Sequence, residues 1–315
     1  MTALLLALAL LWGTACAAAE EEKGAFPALN DAGFLDSGEF VFEDAENGVW
    51  RYASQTLRIE IFRREQKKPD RVWYEAEIFC AEGSTGPRMI ANDPENWKDS
   101  TKMDYPYKIA RKNGTVLAIS SDFAQLRLQQ RKSRSGIIIR NGKVWSDRTK
   151  KQGAKDFPNL DCLAIWPDGD MKVYYSNELT AEEYLEAGAV DVLAFGPILI
   201  RDGKLNEKGL NQYGTSHAQR TAVGMAEKGH YWFMMLEGRI KRSKGDGIRF
   251  LAEKLMEKGC TLGFNLDGGE TACIVFMGHQ LCRMKDRSKY VSSRRTSDIL
   301  GVGISDLLPT VSDGW

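Results

Sequence analysis

Apolar and polar positions alternate with period two over Leu57 to Phe62 and again over Trp73 to Phe79. That pattern predicts two half-buried strands, a β-hairpin joined by the polar loop Arg63 to Arg71. Farther along, His230 to Leu236, Cys260 to Phe264 and Ala272 to Phe276 are short apolar runs of the kind that form buried strands. Ile248, Leu251, Ala252, Leu255 and Met256 repeat at helical spacing and predict one amphipathic helix. Ser243 or Asp246 is placed to cap its start, and Gly259 fits a left-handed residue past its end. Thr180-Ala181-Glu182-Glu183 is a capping box opening a helix to about Ala187. Asn141-Gly142 and Asp168-Gly169 lie between apolar runs and predict tight turns. Gly83 to Tyr107 is polar and carries three prolines, which predicts a long loop over a site. Residues 20–49 are acidic and Gly-bearing and predict an N-terminal arm or linker. Strands outnumber helices, so the fold class is α+β, with extended mixed or antiparallel sheets and a few packed helices.

Asn265-Leu266-Asp267-Gly268-Gly269-Glu270-Thr271 stands out within this pattern. Asp267 falls at the end of one predicted strand, with two glycines before the next. A carboxylate placed there has a rigid base, and glycines let a ligand approach the backbone closely. The same residues also suit a plain Asp-Gly hairpin turn.

Composition narrows the classes. The 315 residues carry 43 basic and 43 acidic side chains, and 43% are hydrophobic, an ordinary globular balance. Zero net charge argues against a nucleic-acid partner held by bulk electrostatics; the basic cluster Arg127 to Arg134 reads as a solvated loop. Ala3 to Trp12 is apolar and too short for a bilayer span. It runs into Ala15-Cys16-Ala17 and Ala17-Ala18-Ala19, small-residue cleavage sites, so residues 1–19 read as a signal peptide lacking a basic start. A secreted or cell-envelope address follows, with Cys16 a weak lipid acceptor. Five cysteines would remain, Cys80, Cys162, Cys260, Cys273 and Cys282, an odd number. Cys260 and Cys273 flank the Asp-Gly-Gly turn and are candidates to face each other. Three histidines and no Cys-x-x-Cys give no metal-ligand spacing, and no cofactor-binding motif occurs.

Several ordered segments resemble the phosphodiester glycosidase family, the domain of the lysosomal uncovering enzyme. They are Val116 to Phe123, Gly136 to Gly142, Phe195 to Leu199, Arg220 to Gly224, Glu237-Gly238-Arg239 with Ser243-Lys244-Gly245, Asn265 to Gly269, and Arg295 to Leu300. The resemblance covers roughly residues 50–315 and implies one such domain there. It departs from the family at Ser120-Ser121, where Asn-Gly is usual, at Glu237, where Asp is usual, and at Glu270, where a third glycine is usual.

The resemblance implies a hydrolase that cleaves a sugar-1-phosphodiester of a glycan or cell envelope. Such a reaction needs a carboxylate at the anomeric centre and cations on the phosphate. Asp267 and Glu237 are the candidate catalytic carboxylates. Arg220 and Arg239 are the candidate phosphate or substrate ligands, with Gly268, Gly269, Asp122 and Thr271 completing the substrate-binding set. Arg295 is a further cation in a family-like motif, and Asp298 and His217 are lesser candidates whose first reading is structural. Glu270 would add a second negative charge beside the phosphate. A catalytically silent relative that binds glycan or supports the envelope is the alternative.

Overall fold

Alternating side chains and tight turns build three antiparallel sheets. The computed structural model describes residues 24–122, 136–148, 160–283 and 294–308. Among these, nine strands form one sheet in the order β1 (Phe40–Asp44), β2 (Val49–Ala53), β3 (Leu57–Gln66), β4 (Arg71–Cys80), β15 (His230–Leu236), β14 (Arg220–Glu227), β16 (Leu262–Leu266), β12 (Ile198–Arg201) and β13 (Lys204–Leu205). A second sheet runs β10 (Met171–Tyr174), β9 (Asp161–Ile165), β11 (Asp191–Phe195), β7 (Ile137–Arg140) and β8 (Lys143–Asp147). A third runs β18 (His279–Gln280), β17 (Ile274–Phe276), β6 (Thr115–Ser120), β19 (Asp298–Ile304) and β5 (Arg88–Ala91).

Strand β15 shows how period two assembles the layers. Tyr231, Phe233 and Met235 enter the main core with Ile59, Ile61 and Ile119. Trp232, Met234 and Leu236 point the other way, onto helix Ile248–Glu257 through Ile248, Leu251 and Leu255. Both faces are covered, which is why this run is apolar throughout rather than alternating.

Most elements fall where the pattern puts them, with differences that have local causes. The long hairpin continues beyond its apolar run, so Arg63 to Gln66 pair with Arg71 to Tyr74 and the loop shrinks to four residues, 67–70. Residues 40–44, inside the expected arm, form β1 by pairing with β2. Asn141-Gly142 closes β7 onto β8, with φ of 49° and 76°. Gly83 to Tyr107 contains β5 and a turn at Ser100–Lys102, and it packs Trp97 against Asp298 rather than covering Asp267. Helix Ile248–Glu257 is capped by Gly247, not by Ser243 or Asp246. Both side chains are committed elsewhere: the Ser243 hydroxyl donates to the Glu237 carbonyl at 2.7 Å, and Asp246 pairs with Arg71. Gly259 follows the helix with φ +77°. Cys260 and Cys273 do not face each other; they belong to separate core clusters. The expected signal peptide and the cluster Arg127 to Arg134 lie outside the described residues.

Candidate active site

Asp267 does not sit in a hairpin. β16 belongs to the nine-stranded sheet and β17 to a different one, so Asp267-Gly268-Gly269 is a crossing between sheets. Its backbone is tied down: the Asp267 N–H donates to the Ser121 carbonyl at 2.8 Å, and the Ser120 hydroxyl donates to the Asp267 carbonyl at 2.7 Å. The Ser-Ser departure from the family therefore stands directly behind Asp267. The Asp267 side chain lies at the wall of a cavity of about 370 Å³. Phe195, Pro197, Tyr213, Asn265, Arg220, Arg239 and Arg294 are among the residues that share this lining.

Arg220 is positioned by close backbone packing. A Cβ on Gly238 would stand 2.6 Å from the Ala218 carbonyl carbon, and one on Gly268 would stand 2.6 Å from the Gln219 oxygen. Ala218-Gln219 thus runs between Glu237-Gly238-Arg239 and Asp267-Gly268, with Arg220 next in line. Among the described residues its guanidinium is held by neutral groups. Nε donates to the Asp246 carbonyl at 3.2 Å, and Nη2 donates to the Gly214 and Ser216 carbonyls at 3.1 and 2.7 Å. Burial and then the charge of Arg239 pull its pKa down to about 10, against the opposing effect of Asp246. Two guanidiniums therefore repel across one cavity wall, an arrangement that an anion between them relieves. Arg239 holds a left-handed φ of 57°, sparsely populated for a non-glycine and commonest where function requires it.

Other expected site residues are elsewhere. Glu237 does not join Asp267 at the cavity. It is fully buried, paired with Arg242, and accepts from the Arg283 N–H at 2.6 Å. Burial pushes its pKa up, with the Arg242 hydrogen bonds opposing. Asp122 is also fully buried and away from the cavity lining, 2.9 Å from Arg140. Arg140 binds Asp298 as well, at 2.8 Å, so both carboxylates serve one buried arginine. Thr271 is buried in the turn Gly269–Thr271, outside the lining. Glu270 points outward, 53% exposed and 3.8 Å from Arg294. His217 is exposed, 4.0 Å from Asp246. Arg295 lies over the Tyr105 ring, and its neighbour Arg294 lines the cavity instead.

Sequence reasoning passed over Asn265, Tyr213 and Arg294. Asn265 had a signal: two residues before Asp267 on a strand, period two sends both to one side. Its amide donates to the Gly196 carbonyl at 2.8 Å and fixes the Phe195-Gly196-Pro197 wall. Tyr213 and Arg294 come from loops and had none. Among the described residues no three His, Cys, Asp or Glu gather for a metal, and no helix is long and apolar enough to cross a membrane.

A model of the phosphodiester glycosidase family matches residues 113–303. A solved structure, the zebrafish N-acetylglucosamine-1-phosphodiester alpha-N-acetylglucosaminidase catalytic domain auto-inhibited by its pro-peptide, superposes with a TM-score of 0.61. It is 17% identical, and the match covers 84% of this chain and 87% of that one, which shows a shared fold. The SPbeta prophage-derived uncharacterized protein YomE of Bacillus subtilis strain 168 is 26% identical over 153 residues. That match takes in 48% of this chain and spans only 23% of the relative's length.

Proposed function

The chain belongs to the phosphodiester glycosidase family, and we propose that it is a secreted hydrolase cleaving the bond between a sugar's anomeric carbon and phosphate in a glycan or envelope sugar-1-phosphodiester. One observation carries this reading: Arg220 and Arg239, coupled in charge, share a cavity with Asp267. Export rests on the apolar Ala3 to Trp12 and the small residues after it.

Chemistry supports a site with few carboxylates. An ordinary glycoside needs one carboxylic acid to protonate its leaving oxygen and a second carboxylate at the anomeric centre. A departing phosphate monoester is a stable anion and needs no proton, so the second role suffices. Among the described residues Asp267 is the one carboxylate in the lining. Its role is to stabilise the oxocarbenium-like centre or to activate water. Arg220 and Arg239 hold the phosphate as its charge grows, each charge-assisted hydrogen bond contributing about 1.5–3 kcal/mol. Tyr213, Phe195 and Pro197 offer an apolar wall to the sugar. Glu237 takes a supporting part: with Arg242 it anchors the strand end from which Gly238 and Arg239 leave.

The test is hydrolysis of a panel of sugar-1-phosphodiesters, read as sugar released, with wild type beside Asp267→Asn. Wild-type turnover that falls about a hundred- to ten-thousand-fold in the variant, with unchanged thermal unfolding, is the expected result. Tight glycan binding with no turnover would instead establish a silent binder.

A further inference from the structure

All five cysteines among the described residues are thiols, and four are buried. Cys162 belongs to the cluster under helix Ala181–Glu186, and Cys260 to the one under helix Ile248–Glu257. Cys273 and Cys282 both belong to the main core and are fully buried. The hairpin of β17 and β18 relates them. Its register pairs Phe276 with His279 and Val275 with Gln280. The Leu281 N–H then donates to the Ile274 carbonyl at 3.0 Å, one step beyond the named strands. The next step puts Cys273 opposite Cys282. Hydrogen-bonded and non-hydrogen-bonded pairs alternate along such a ladder, so this pair is of the close, non-hydrogen-bonded kind, with Cα atoms about 4.5 Å apart. That separation lies within the span a disulfide bridges. The Ile274 N–H acts on the Cys282 thiol, and Cys282 acts electrostatically on Cys273, in keeping with that register.

We propose that Cys273 and Cys282 are a disulfide site, a cross-strand staple that closes when the chain folds in an oxidising compartment. The oxidant is a disulfide, whether a small molecule or an oxidoreductase. The thiolate of one cysteine attacks it, forming a mixed disulfide and expelling one thiol. The second thiolate then displaces the other, leaving the protein disulfide, two reduced thiols and two electrons transferred. In the packed hairpin burial raises both thiol pKa values, Cys282 to about 12, so the exchange belongs to folding rather than to the finished protein. The staple lies six residues beyond Asp267. It also secures Leu281, whose carbonyl accepts from the Tyr74 hydroxyl at 2.8 Å, and Arg283, whose N–H holds Glu237. One pair leaves Cys80, Cys162 and Cys260 as apolar packing, which accounts for the odd number.

The experiment refolds the full chain with reduced and oxidised glutathione, alkylates remaining thiols under denaturing conditions and maps peptides by mass spectrometry without reduction. A Cys273–Cys282 linked peptide is expected, with Cys80, Cys162 and Cys260 alkylated. Thermal midpoints are measured with and without reductant for wild type and for the double variant Cys273→Ala, Cys282→Ala. Reductant should lower the wild-type midpoint and leave the variant's unmoved. Alkylation of both cysteines in oxidatively folded protein, or linkage of either to a different cysteine, overturns the proposal.

Discussion

Arg220 states the residue-scale case. Its four hydrogen bonds among the described residues use Nε and Nη2 on carbonyls and the Ser216 hydroxyl, so its charge is oriented without being neutralised. Lysine keeps the charge but has neither the planar fork nor the reach to those carbonyls together. Arg220→Lys is expected to fold and to lose about 10- to 100-fold in kcat/KM on a sugar-1-phosphodiester, the value of one charge-assisted bond. Steady-state kinetics beside thermal unfolding checks it, and turnover within about twofold of wild type would remove Arg220 from phosphate binding. Glu270 is a gentler case than its charge suggests. It is half exposed and set against Arg294, and an exposed pair is worth about 0–1 kcal/mol.

At the scale of elements, the site depends on where three backbone segments pass. Glu237-Gly238-Arg239 and Asp267-Gly268 close on Ala218-Gln219 with no room for a Cβ. Gly238→Ala should cost about 1–3 kcal/mol and also lower kcat/KM, because the displaced backbone leads into Arg220. Urea denaturation and kinetics on the same preparation test both effects; a stable variant with full activity would show that the packing does not hold Arg220. The wall at Gly196-Pro197 rests on Asp161 of β9, which accepts from the Ile198 N–H at 3.0 Å. Burial pushes the Asp161 pKa up to about 6, against that hydrogen bond. A carboxyl whose folded pKa is raised binds its proton more tightly when folded, so stability falls as pH rises from about 4 to about 6 and is level in this respect above that. Asp161→Asn keeps the acceptor and should remove that slope in denaturation curves collected between pH 4 and 7. An unchanged slope would assign it to other groups.

Across the whole molecule, one buried arginine ties two sheets. Arg140 of β7 reaches Asp298 of β19 and Asp122 just past β6, and Trp97 donates to Asp298 at 2.6 Å. Burial alone would lower the Arg140 pKa; the two carboxylates outweigh it and hold it above its ordinary value. Arg140→Met leaves two desolvated carboxylates together and should destabilise by about 3–5 kcal/mol. The midpoint of urea unfolding measures it, and a loss below about 1 kcal/mol would show the cluster relaxing without cost. Asp122 directly follows Ser121, whose carbonyl receives the Asp267 N–H, so this variant is also expected to disturb the site from behind.

How much of this was legible depended on the range of the interaction. Period two in Leu57 to Phe62 and Trp73 to Phe79, the apolar run His230 to Leu236, helical spacing in Ile248 to Met256, and the Asn141-Gly142 turn are local and were readable, because each follows from the backbone geometry of a few neighbours. The α+β class and the family followed from those patterns and the quoted motifs. Asp267, Arg220 and Arg239 were named from the sequence, and the fold brings them to one cavity. What the sequence left open was pairing among like residues. Glu237 looked equivalent to Asp267 until Arg242 occupied it, and Asp122 looked like a ligand until Arg140 did. Arg294 and Arg295 differ by one position, and only the loop's path chose which faces the cavity. Cys273 opposes Cys282 rather than Cys260 because Asp267-Gly268-Gly269 crosses between sheets. Composition and spacing along the chain decide which residues can carry charge, turn or packing; partners come from strands distant in sequence, and those only the assembled sheets bring together.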